Sequence, residues 1–365
     1  MKGKQFMKRH AGMLSIYGVC FAALFLLIAL VPKFGTMENI LNVIKQSAYI
    51  AIPAVGLTMV MVQGGIDLSV GGIISLAGVV NGMLIMKGFP VGISFIITLI
   101  GCAVFGLLNG WVVASIKVPP FIATYTVSEI ASGIALIIGN GKAIGPFKND
   151  AYTFIGNGKL AGIPIPDLVI ILVAAVGIIL LSHTAFGNRI YAVGNNPMVV
   201  KQEGLSVAKI KIWTYIICAV CAGISGLLLS ARMSSASPVQ GDGYQLKCVA
   251  SCIIGGVSMN GGSGKVFNSV LGAFFIAVLS TALNMMAVDS EIRQLTTLLL
   301  DNAIKYCDGG GTIRVSAGQK GRETWMVVSN SYAEGANVDY SRFFERFYRQ
   351  NEAHTIESQS RGGYG

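Results

Sequence analysis

Charge is what this 365-residue chain has least of: only 12% of its residues are Asp, Glu, Lys or Arg, while 53% are hydrophobic. That balance excludes an ordinary soluble protein. The charge is also uneven. Residues 1–290 hold 18 Lys+Arg and 8 Asp+Glu, whereas residues 291–365 hold 9 of each. The first density suits a polytopic membrane protein and the second a soluble domain, so a boundary falls at 289–291. No basic stripe interleaved with aromatics is present, so the net charge of +10 does not point to nucleic acid. The seven cysteines include one CxxC, Cys218 and Cys221, but no second pair or histidine stands near it. Buried small residues fit that pattern better than metal ligands. No small-residue cleavage site follows the apolar run 13–31, so it reads as a retained first span. Its N-terminus is placed in the cytoplasm by Lys2, Lys4, Lys8 and Arg9.

Long apolar runs are abundant. Beyond 13–31 they fall at 46–62, 69–86, 92–116, 119–139, 166–183, 210–231 and 266–287. Each is long enough for a hydrocarbon core of about 30 Å. A shorter apolar piece, 245–256, brings the expectation to eight or nine spans in an all-α polytopic membrane protein. At about 18 Å of helix the short piece can either cross or dip and return. Many of the 46 glycines lie within spans, where small residues let helices approach closely.

One stretch between spans is costly in hydrocarbon. QGGIDLSVGGIISL, residues 63–76, carries an acid, two hydroxyls and four glycines. Gly64 and Gly65 permit a tight turn, and Asp67 and Ser69 can accept bonds from the first free N–H groups of the next helix. Such a break is a cap, part of a translocation path, or both. Glu129 lies inside the span that Pro119–Pro120 opens. An acid at that depth either serves function or is hydrogen-bonded within the bundle. In the basic loop 182–211, NNPMVVKQEGLSV reads as a short helix begun near Pro197 and stopped at Gly204.

GGIDLSVGG, NGWVVASIKVPPFIAT, the run from GNRIYAVGNNPMVVKQEGLSV through GLLLSARMSSASP, and GYQLKCVASCIIGGVSMNGGSGKV resemble the permease subunit of bacterial ABC importers for ribose and related monosaccharides. The resemblance covers residues 1–289. It implies a subunit that does no chemistry of its own, binds no cofactor and works as a permease homodimer in the lipid bilayer of the inner membrane. A separate ATPase subunit would hold ATP and magnesium, and an extracytoplasmic sugar-binding protein would deliver substrate. It further implies that Asn195, Asn196, Pro197, Glu203 and Gly204 belong to a coupling helix that docks the ATPase. Nucleic acid is not an expected partner.

From residue 290 the chain resembles a different family, the ATP-binding domain of sensor histidine kinases, as a truncated α/β fragment of Bergerat type. LLLDNAIKY matches the N box, with Asn302 at the magnesium position and Lys305 and Tyr306 after it. TWMVVSN reads as a strand, SRFFERFYRQ matches the F box, and RGGYG, with Gly362 and Gly363, the opening of the glycine-rich lid. No phosphoacceptor histidine segment precedes residue 291, and SNSYAEGAN replaces the usual adenine-site motif. The resemblance therefore implies a vestigial, inactive fragment standing where the permease family has its last span, with transport impaired. The alternative reading is a membrane-bound sensor kinase.

Overall fold

The computed structural model describes residues 24–29, 31, 33–285, 312–320 and 323–331. The chain divides into two compact units, Met1–Met286 and Ala287–Gly365.

The first unit is a helical bundle. Its helices are α1 (Met37–Val62), α2 (Val70–Met86), α3 (Val91–Trp111, continued by a π turn Val112–Ile116), α4 (Pro120–Ile138), α5 (Asp150–Asn157), α6 (Ile165–His183), α7 (Ala185–Asn195), α8 (Pro197–Gln202), α9 (Val207–Met233), α10 (Tyr244–Ile254) and α11 (Val266–Met285). Two short strands, β1 (Lys159–Leu160) and β2 (Ile163–Pro164), pair between α5 and α6. Six helices among the described residues are long and apolar enough to cross a membrane; α2, at 17 residues, and α10 fall short on length. Of the expected span at 13–31, residues 24–29 are helical, and 13–23 and 30 lie outside the described residues.

The apolar runs become helices as their patterning dictates, and small residues set how closely they pack. α9 lies against α1, α2 and α3, and at each crossing a glycine admits the neighbour. A Cβ on Gly56 would strike the backbone of Cys218; one on Gly110 would strike Ile212, and one on Gly226 the Ile74 carbonyl. Cys218 and Cys221 are free and buried at this seam, as packing residues. In lipid, close backbone approach of this kind gives van der Waals contact that water exclusion cannot supply.

Two groups of contacts mark the ends of the bundle. At one end, Ile144 and Ala236 exchange backbone bonds at 2.8 Å, Phe147 N–H donates to the Ser234 carbonyl, and the Phe147 ring sits under Gly82. At the other, Gly262 N–H donates to the Val62 carbonyl at 2.8 Å. α2 runs toward the first end, where its Gly82 meets the Phe147 ring. The stretch 236–243 then runs back along α2 without helix: Gln240 Nε2 donates to the Ile74 carbonyl (3.2 Å) and Gly241 N–H to Ser75 Oγ (2.9 Å). Gly241 and Gln245 reach the level of Gly71. α10 therefore starts partway down the bundle, and its 11 residues, about 16 Å of rise, complete the passage to the turn at 258–264. The irregular stretch and α10 together thus run alongside α2 and on to the turn at 258–264, and Ser75 of α2 meets the Gly241 N–H on the way.

The second unit shows one antiparallel hairpin, β3 (Ile313–Lys320) with β4 (Glu323–Asn330), in register from Ile313↔Asn330 to Lys320↔Glu323. The strand expected at TWMVVSN lies within β4. Asn302, Lys305, Tyr306, Gly362 and Gly363 fall outside the described residues.

Candidate functional site

The break between α1 and α2 is built from its own backbone first. Gly65 N–H donates to the Val60 carbonyl and Gly64 N–H to the Met61 carbonyl, both at 2.9 Å. This is a Schellman ending, and Gly64 takes the left-handed conformation it needs, with φ +84°. A Cβ on Gly65 would come within 2.8 Å of the Tyr215 hydroxyl, so a side chain there would displace that hydroxyl.

A buried polar cluster follows. Asp67 Oδ1 accepts from Ser69 N–H (2.9 Å) and from the Ser69 hydroxyl (2.6 Å). Asn109 Nδ2, from α3, donates to Ser69 Oγ at 2.8 Å. Tyr215, from α9, donates its hydroxyl to the Ile66 carbonyl at 3.2 Å. α4 supplies the rest: Thr124 Oγ1 accepts from Leu68 N–H (3.0 Å) and Ser128 Oγ from Gly72 N–H (3.2 Å). Asp67, Ser69 and Asn109 are each 0% exposed. Among the described residues, Asn109 Oδ1 and the Gln63 amide are buried here without a hydrogen-bond partner, while the Asp67 carboxyl also meets the Cys218 thiol.

This corrects the expected capping. Asp67 holds the cap residue Ser69 rather than the helix interior, and Ser69 makes no side-chain cap bond. The free N–H of α2's first turn is met from another helix, by Ser128. The break starts at the end of α1 that touches Gly194 and Gly262 and turns back into the bundle, so that Asp67 lies beside Cys218, level with Gly56. Glu129, one residue past Ser128, is exposed and stays out of the cluster. Its charge acts on Asp242 in the stretch 236–243. Sequence reading missed Gln63, Asn109, Thr124, Ser128 and Tyr215. All but Gln63 come from other helices, and a lone Asn, Thr, Ser or Tyr in an apolar run gives no local sign of its partner.

A second group forms around α7 and α8. Asn196 ends α7 and begins α8, its side chain accepting from Met198 N–H (3.0 Å) and Val199 N–H (3.4 Å). Pro197 occupies the first helical position, where its missing N–H costs nothing. Glu203 is the C-cap, and Gly204, with φ +76°, lets Leu205 N–H return to the Val200 carbonyl. Val200 is 4% exposed and anchors the helix, while Met198 (65%) and Val199 (49%) face outward. Asn195, Asn196, Pro197, Glu203 and Gly204 thus lie together, at the same end of the bundle as the start of the break.

The family described as branched-chain amino acid transport system / permease component matches residues 39–300. The chain belongs to this family. It is therefore the membrane subunit of a transporter rather than an enzyme, and lies in the inner membrane as a multi-pass protein. A ribose import permease protein, RbsC, from Haemophilus influenzae is 34% identical over 287 residues, covering 77% of this chain and 89% of the relative. The RbsC of Escherichia coli is 34% identical over 294 residues, covering 77% and 92%. The D-allose transport system permease protein AlsC of Escherichia coli is 32% identical over 280 residues, covering 74% and 85%. No solved structure matches the chain. Permease components of ABC importers work with an ATPase subunit and a substrate-binding protein. The sensor-kinase alternative finds no support in these relatives.

Proposed function

We propose that the first unit is the permease subunit of an ABC importer for ribose or a related monosaccharide. The family's description mentions branched-chain amino acids, but the relatives named for a substrate, matching about three quarters of the chain, carry sugar names, and these favour a sugar. Two copies form the path, and a sugar-binding protein delivers substrate from outside. Residues 195–204 dock the cytoplasmic ATPase, which alone holds ATP and magnesium. The observation that carries this reading is α8. A six-residue helix capped at both ends exposes Met198 and Val199 to water, an apolar pair that a partner surface would cover.

The break, with Gly64, Gly65, Asp67 and Ser69, belongs to the moving part of the path, and Glu129 faces the path from α4. Residues 290–365 are a partial kinase-like ATPase domain, the hairpin β3–β4 being part of its sheet and Asn302 a vestigial magnesium position. Capture of the cognate ATPase by the full chain, solubilised from membranes, tests the docking reading. Retention of the ATPase is expected. Its absence from a well-folded preparation would overturn the reading.

A further inference from the structure

Three segments far apart in sequence meet backbone to backbone beside α8. Gly262 N–H bonds the Val62 carbonyl, and a Cβ on Gly194 would strike both of those groups. Gly261 lies against Gly64 and Gly194, and Gly262 against the side chain of Asn195. The start of the break, the last turn of α7 and the turn 258–264 therefore make one junction, with main chain touching main chain.

One hydroxyl ties this junction together. Tyr191, on the exposed-loop helix α7, donates to the Gly264 carbonyl at 2.6 Å, and Asn195 Nδ2 donates to the Tyr191 carbonyl at 3.0 Å. The Tyr191 phenol is protonated at neutral pH and so donates this bond, and burial pushes its pKa further above the ordinary value. Where glycines hold backbones in contact, no flexible side chain absorbs a shift, so a displaced α7 displaces its neighbours.

We infer that Tyr191 is a positioning residue for transport: by fixing α7 to the turn 258–264, it passes movement of the docking segment 195–204 to the helix break at 63–69. The inference rests on the docking reading above. Gln63, 2% exposed at the start of the break, is the place to observe the movement.

The test uses the full chain carrying Gln63→Cys, assembled with its ATPase. Maleimide labelling is followed with and without magnesium and a non-hydrolysable ATP analogue, and the chain without the added cysteine gives the background. Nucleotide should raise the labelling rate. Tyr191→Phe keeps the ring and removes one hydrogen bond; it should cut that rise by about fivefold, the net worth of one such bond. ATPase retention and thermal midpoint should stay close to those of the parent. An equal rise in both chains overturns the inference, as does no rise in the parent. Failure of the parent to hold the ATPase is a different result: it removes the docking reading, and the inference falls with it.

Discussion

Asp67 is the residue on which the break turns. Its Oδ1 accepts both donors of Ser69, while Ser69 Oγ also accepts from Asn109, so removing the carboxyl strands buried polar groups rather than a surface cap. Asp67→Ala should lower stability by about 1–3 kcal/mol, the cost of leaving a buried donor unsatisfied. Asp67→Asn keeps an oxygen for Ser69 and should recover most of that loss, as read from thermal unfolding in detergent. If Asn is as damaging as Ala, the charge itself is required at this position. The acid was legible in the sequence because a carboxylate between two apolar runs has few bland explanations. Its partners were not legible: Asn109, Thr124, Ser128 and Tyr215 stand 40 to about 150 residues away, and only packing brings them in.

At the scale of elements, two devices carry the account. α8 depends on its cap. Asn196→Ala removes the acceptor for two N–H groups and should cost the helix about 1 kcal/mol, weakening ATPase capture, whereas Asn196→Ser should hold it. Bulky residues at Glu203 and Gly204 should weaken capture too. At Gly204 the cause is backbone conformation, not collision, since open space surrounds the site a Cβ would take. The second device is the half-irregular crossing through 236–243 and α10. Val239→Cys and Met259→Cys, both at exposed positions, should react with a membrane-impermeant maleimide from opposite sides. Val239→Cys labels in intact cells and Met259→Cys only after permeabilisation. Labelling of both from outside would mean that α10 dips and returns.

Most apolar runs became helices with ends within about three residues of those expected, because an apolar run long enough to cross a bilayer has few other uses, but the helix expected at 46–62 begins at Met37. The descent of 236–243 was not legible, because SPVQGDG reads as an ordinary loop until Ser75 and the Ile74 carbonyl are seen to satisfy it.

For the whole molecule, the question is what the two units contribute. The permease unit matches 89% of the length of its ribose relative from Haemophilus influenzae, and all the groups argued for above lie within it. The hairpin unit is read as a kinase-like fragment whose sequence departs from the adenine-site pattern. Calorimetry of the full chain alone with a non-hydrolysable ATP analogue should show no micromolar binding, and micromolar affinity would return the kinase reading to consideration.

The central claim is that this chain is the membrane part of an ATP-driven sugar importer, and it is tested most directly by the ATP hydrolysis rate of the chain assembled with its ATPase in proteoliposomes. The rate is measured with the sugar-binding protein empty and then loaded with ribose. The account predicts that the ribose-loaded binding protein raises hydrolysis, and that the rise is lost when Glu203 and Gly204 are replaced by bulky residues. A rate unmoved by the loaded binding protein, with the ATPase firmly held, would contradict it.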